Sequence, residues 1–457
     1  MRPAQVDLVI TAGAIATMDA TRRIIRDGAI AIAGSRIVAV GKRDEILATH
    51  APAKLIERPG GLLTPGLIDC HHHPAGAFLI SGVVDELPQL QRLKERVIPH
   101  EDQLTEDEAY VAASASFAEL IRHGTTCFAD AGGPRTAATA RAALDLGIRG
   151  VLAAKSGDRS GPFGGEVPSA EACLAEADDI YDRFRGAGDG RLKVWYDLDL
   201  PQAVSDTLLE GVVERVSTRD TGIVGHFIGQ PTDASRNPEI ERYQRFGVFD
   251  QRVVLAHIGW LPEDDVKLLA ASGASIAHAP SSSLMGGNGW VAHGVIPDLV
   301  AAGANLTLGT DAAAASRFLD LVRVMYLAAT THRDARRDPL IMGAHSVFEM
   351  ATVNAAQALG WADEIGSIEP GRAADVVVFD ATSLAWSPHR LANPIADLVY
   401  SGSGENADTV VINGRVVLED KRLLTVDVEE LAKEVDRVAD TALDRLGHRP
   451  APRWPME

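Results

Sequence analysis

Cysteine is scarce. Cys70, Cys127 and Cys173 are the three in a chain of 457 residues. An odd, thinly spread set argues against a disulfide framework and makes a reducing, cytoplasmic setting the default expectation. Basic charge is short as well. Forty-four Lys and Arg against 63 Asp and Glu leave a formal net charge of −19. That argues against nucleic acid and against an anionic membrane surface as partners, since both call for clustered cations. No run of about 18 apolar residues occurs, so no membrane-spanning helix is expected. Residues 1–7 lack the basic and long apolar stretches of a secretion signal. Internal repeats, low-complexity tracts and long linkers are missing too.

What is present is ordinary globular material, 46% hydrophobic and 23% charged, enough for one large domain with a small companion. The chain opens with short β patterns, 6–10, 29–33 and 37–40, the last two flanking the turn signal Gly34-Ser35. From Leu67 the rhythm changes. Apolar runs at 67–68, 125–129, 150–154, 192–198, 222–227, 253–257, 274–277 and 305–308 alternate with helical patterns. Strand–helix alternation means βαβ units, and eight runs fit a closed (β/α)₈ barrel. After about residue 360 β patterns return, with Asn413-Gly414 as a hairpin turn between two β runs, and 428–446 reads as a closing helix. The expected architecture is an α/β (β/α)₈ TIM barrel, residues 61–362, with a small β-sandwich-like domain formed from both chain ends, residues 1–60 and 363–457.

Chemistry concentrates at the ends of the expected strands. In Asp69-Cys70-His71-His72-His73, residues two apart on a strand share a side, so His71 and His73 can face the barrel mouth together while His72 points away. Cys70 should then sit between barrel and helices as buried structure. Neutral imidazole suits zinc, iron, nickel or cobalt. His226 ends strand five, His257 strand six, and Asp311 follows strand eight. Each alone has a bland reading as a capping or satisfied polar residue. Together they mark the face where active sites of such barrels lie.

These residues, with Gly309-Thr310-Asp311 and the tail 365–375 (Ile-Gly-Ser-Ile-Glu-Pro-Gly-Arg-Ala-Ala-Asp), resemble the amidohydrolase superfamily. Within it they resemble the branch of cytosine-, guanine- and adenosine-type aminohydrolases and triazine hydrolases. The resemblance implies one divalent metal, zinc first with iron, manganese or cobalt as alternatives, held by His71, His73, His226 and Asp311. It places His257 near the attacking water or the developing oxyanion and makes Asp311 the acceptor of the water's proton. A homodimer is the family habit. His278, ending strand seven, stands where the family often orients substrate. A binuclear site needs a bridging lysine at the end of strand four; Lys193 lies at the start of that strand and Lys155 follows strand three, so one metal is expected.

The chain departs from the branch at Gly229, where its members usually carry a glutamate that shuttles a proton to a ring nitrogen. Displacing ammonia from an aromatic ring needs that acid more than cleaving an amide, urea or carbamate does. The expectation is therefore a hydrolase of a carbonyl-type, non-peptide C–N bond. Ring deamination is the alternative, with Glu86, Asp199 or Asp233 as replacement acids. Loss of another leaving group, such as halide or thiol, and an inactive metal-binding relative are further alternatives. The apolar segment 74–82 and the aromatics Phe78 and Trp195 are expected to line the pocket and touch a small, partly apolar substrate. Few Arg or Lys fall at strand ends, so a phosphorylated or strongly anionic substrate is not expected.

Overall fold

The structure is a computed structural model that describes residues 2–165, 167–229, 236–388, 390–449 and 454–456. The chain begins with β1 (Ala4–Ala16), β2 (Ile24–Ala33), β3 (Arg36–Lys42) and β4 (His50–Pro65). β1 pairs antiparallel with β2, β2 with β3, and β4 lies parallel to β1. Alternation of Leu8, Ile10, Ala12 with Ile30 and Ile32 buries one face of this sheet.

The barrel follows. Its strands are β5 (Leu67–His73), β6 (Thr125–Asp130), β7 (Arg149–Ala154), β8 (Leu192–Asp197), β9 (Ile223–Phe227), β10 (Val253–His257), β11 (Ser275–His278), β12 (Asn305–Leu308) and β13 (Asp311–Ala312). Each is parallel to its neighbour. β12 and β13 are two pieces of the eighth strand, interrupted at Gly309-Thr310. β13 pairs with β5, Asp311 opposite His72 and Ala312 opposite His73, which closes the ring. Helices such as Glu106–Arg122, opened by the Thr105/Glu108 capping box, wrap the outside.

Ile68, Cys70, Cys127, Val151, Ala153 and Trp195 fill the barrel interior together with inward residues of the later strands. The turn after the helix Val353–Ala358 brings Leu359 and Trp361 under them. Cys70 thus lies inside the barrel, not between barrel and helices as strict alternation from the histidines suggests. The reason is a register irregularity between Asp69 and His72, which resets the side-chain parity. Ile68 and Cys70 point inward below the mouth, and His71 and His73 still reach it.

β14 (Val376–Asp380), β15 (Ala407–Ile412), β16 (Arg415–Glu419) and β17 (Arg422–Leu423) complete the first sheet, in the order β17-β16-β15-β14-β4-β1-β2-β3. Asn413 and Gly414 both take positive φ, 51° and 81°, as the β15–β16 turn demands. Among the described residues no helix is long and apolar enough to cross a membrane.

One buried ion pair ties the two sheets. Arg149, at the start of β7, donates from Nε and Nη2 to Asp375 at 2.7 and 3.0 Å. Asp375 also accepts from the Asn413 amide, and its carbonyl accepts from Gly66. Both partners are buried, and removing one leaves an uncompensated charge. Asp375→Ala should therefore destabilise the chain by about 3–5 kcal/mol, read as a lowered denaturation midpoint; an unchanged midpoint would show that the pair does not couple the sheets.

Candidate active site

Five side chains meet at the barrel mouth. His71 and His73 leave the end of β5, His226 comes from β9, His257 ends β10 and Asp311 opens β13. His73 Nε2 and His226 Nε2 stand 3.2 Å apart. Asp311 Oδ1 is 3.6 Å from His73 Nε2 and 3.9 Å from His71 Nε2. The ring centroid of His71 lies 4.8 Å from that of His226 and 4.9 Å from that of His257.

The break in the eighth strand makes this convergence possible. A Cβ on Gly309 would lie 2.7 Å from His71 Cβ and 2.8 Å from its carbonyl oxygen, so only glycine lets the strands approach. Below it, Asp69 accepts from the amides of His71 (3.2 Å) and Thr310 (3.1 Å) and from the Thr310 hydroxyl (2.5 Å). His72 turns its Nδ1 to the carbonyl of Asp311 at 3.0 Å. It points away from the cavity and clamps the same junction. His257 and Asp311 sit at φ 76° and 61°, left-handed conformations that cost a non-glycine residue about 1–3 kcal/mol and gather where function needs them.

Burial dominates the electrostatics. It drives the imidazoles of His71 and His226 well below their ordinary value, and each is lowered further by neighbouring histidines. His257 is lowered by burial as well. All three are therefore neutral, the form that binds metal. Burial alone would raise the Asp311 carboxyl. Charge on the rings of His71, His257 and His73, whenever one of them takes a proton, and the Ser282 hydroxyl lower it instead.

A divalent ion fits this set. Two donors each about 2.1 Å from one ion at tetrahedral angles stand about 3.4 Å apart, close to the separations found. Among the described residues, buried His71 Nε2 and His257 Nδ1 have no hydrogen-bond partner. The donor groups His71–His73–Asp311 and His71–His226–His257 each keep their ligand atoms within 4.8 Å of one another. Imidazole with one carboxylate is the donor chemistry of zinc and its neighbours.

The sequence profile described as the amidohydrolase family matches residues 62–417. The chain belongs to the amidohydrolase family. It is 32% identical over 428 residues to a 5-methylthioadenosine/S-adenosylhomocysteine deaminase of Desulforudis audaxviator, covering 92% of this chain and 96% of that one. Its fold is similar to that of an adenosine deaminase from Xanthomonas campestris with bound zinc, with a TM-score of 0.88, 26% identity and coverage of 97% and 100%. It is also similar to the zinc complex of an atrazine chlorohydrolase from Arthrobacter aurescens, with a TM-score of 0.81, 26% identity and coverage of 94% and 100%. Zinc in both neighbours and the His/Asp donor set here support a divalent metal in this amidohydrolase.

A cavity of about 130 Å³ opens on His73, His226, His257 and Asp311. Its wall departs from expectation in several places. Trp195 is not a lining residue; it is fully buried in the barrel interior, against Gly222. His278 lies behind the wall, its Nε2 2.9 Å from His332 Nε2, and Phe78 packs between two core clusters. Of the segment 74–82 only Ala77 lines the cavity. The wall comes instead from the stretch after β5: a helix Gln89–Arg92, a π turn Leu93–Val97 and a helix Ile98–Gln103. Gln89, Arg92, Leu93, Val97, Ile98 and Glu101 face inward from it.

Gly229 is more than a lost side chain. Its φ is 70°, and a Cβ there would run into the Trp260 carbonyl oxygen, so the backbone leaves no room for any acid. Of the possible replacements, Asp199 lines the cavity, Glu86 does not, and Asp233 falls outside the described residues. Lys193 is at the other end of its strand, its Nζ on the carbonyl of Gly360 at 2.6 Å. Lys155 lines the cavity but is bonded to Glu101 at 3.0 Å. Gly309→Ala should fold yet hold several-fold less metal, as elemental analysis of the purified chain would read; full metal content in a folded variant would show that the strand approach does not set the ligands.

Proposed function

We propose that this chain is a metal-dependent hydrolase that cleaves a C–N bond other than a peptide bond in a small molecule, using one divalent ion, zinc first, held by His71, His73, His226 and Asp311. The observation that carries it is the convergence of three imidazoles and one carboxylate on a single point of a small cavity, with His257 beside them. A divalent ion held there would supply Lewis-acid chemistry, activating a water near neutral pH and polarising the bond under attack. Asp311, ionised over the working range, accepts the proton of the attacking water and returns it to the departing amine. His257 donates to the oxygen on which charge builds. The absence of space for an acid at Gly229 favours a carbonyl-type C–N bond, which makes the smaller demand on a proton donor.

Ring deamination is the second reading, and Asp199 favours it. Its carbonyl accepts from the His226 amide at 2.8 Å, its side chain lines the cavity, and burial pushes its carboxyl up. It is placed to carry the proton that Gly229 cannot. The deaminase names of the relatives point the same way.

Asp311→Asn should abolish turnover, by about 10³-fold or more if both proton transfers pass through it, while leaving metal bound; full activity would contradict this role. A screen for ammonia and amine release on ureas, carbamates, anilides and ring amines, run with Asp199→Asn, separates the two readings. Carbonyl hydrolysis survives that substitution, and ring deamination loses about 10²-fold or more. Chelation should remove activity with the metal, and zinc should restore it.

A further inference from the structure

Four charged side chains line the cavity besides the ligands: Arg92, Glu101, Lys155 and Asp199. Lys155 is neutralised by Glu101 and also lies in the field of Asp199. Arg92 is different. It is 8% exposed, and its guanidinium makes no hydrogen bond or ion pair with any described residue. The one other buried arginine among the described residues, Arg149, has its carboxylate in Asp375. Arginine is almost never buried unpaired, and a buried guanidinium without an acceptor is costly. It lines the same cavity as His257 and Asp311. Leu93, Val97 and Ile98 surround its wall, and in such a medium an opposite charge is bound strongly.

We propose that Arg92 receives a carboxylate carried by the substrate, so that the cavity takes a small carboxylic acid with its C–N bond at the metal ligands. The proposal rests on the hydrolase reading above and names its substrate class. One free cation matches one anion. Its planar fork of N–H donors fits a carboxylate in two parallel hydrogen bonds. A doubly charged phosphoryl group would meet only that one free cation, with Glu101 and Asp199 on the same wall. A single anionic group is thus expected even though few Arg or Lys fall at strand ends and Lys155, after the third, is paired with Glu101; the free cation comes from the helix that follows the first strand.

The test uses the zinc-loaded full chain and calorimetric binding of benzoate, benzyl alcohol and phenylphosphonate. Arg92→Gln should weaken benzoate at least about tenfold, Arg92→Lys should keep part of the affinity, and benzyl alcohol should bind both forms alike. A benzoate affinity unchanged by Arg92→Gln, or no benzoate binding to the unaltered chain, overturns the proposal. So does Arg92-dependent binding of phenylphosphonate tighter than that of benzoate. Removing an unpaired buried charge relieves the ligand-free fold, so Arg92→Met should match or raise its melting temperature; a clear fall would reveal a structural partner and overturn the proposal as well. None of these readings needs turnover. A chain that binds benzoate through Arg92 but hydrolyses nothing upholds this inference while sinking the hydrolase reading.

Discussion

The eighth barrel strand must come close enough to the first for Asp311 to stand among the histidines. Everything at the mouth follows from that approach. Gly309 removes the Cβ that would strike His71. Asp69 then bridges the two strands, its oxygens bonded to the His71 and Thr310 amides and the Thr310 hydroxyl. Burial pushes its carboxyl up to about 7, so these donors matter to keeping it satisfied. His72, locked on the Asp311 carbonyl, fixes the other side. The side chains at the mouth are thus held by backbone geometry rather than by one another, the kind of preorganisation a metal site needs.

Desolvation gives the site its chemical character. The same burial that keeps His71, His226 and His257 neutral leaves their nitrogens free for a cation, while the Asp311 carboxyl is lowered against it. It also makes the surrounding polar wall consequential. A paired Lys155 contributes little field, an unpaired Arg92 acts at close to full strength in low dielectric, and burial favours the protonated form of Asp199. Position 229 shows backbone and chemistry coupled in the same way. Its left-handed φ and the nearby Trp260 carbonyl mean that a proton donor must come from another strand, and Asp199 on the neighbouring strand's loop is near enough to the His226 amide for that.

That five side chains meet at one end of a barrel was legible in the sequence, because strand ends can be counted and His71 and His73 are two apart. The return of the chain to the first sheet was legible from Asn413-Gly414 and the β runs around it. Side-chain parity beyond a bulge was not. The irregularity between Asp69 and His72 turned Cys70 inward, and the alternation that carried the histidines gave no warning of it. Trp195 and His278 lie at strand positions whose inward or lateral aim depends on barrel tilt, which periodicity does not encode. The wall after the first strand was hidden for another reason. Gln89, Leu93, Val97 and Glu101 recur every four residues, but a π turn inside the segment and its many charges hide the inward face that includes Arg92.

X-ray absorption at the zinc edge of the loaded chain tests the central claim most directly. About one zinc per chain is expected in a shell of nitrogen and oxygen only, near 2.0–2.2 Å, with the outer-shell scattering of imidazole, and loss of part of that signal in His226→Ala. A sulfur shell, a zinc–zinc vector, or a spectrum unaltered by His226→Ala would contradict it.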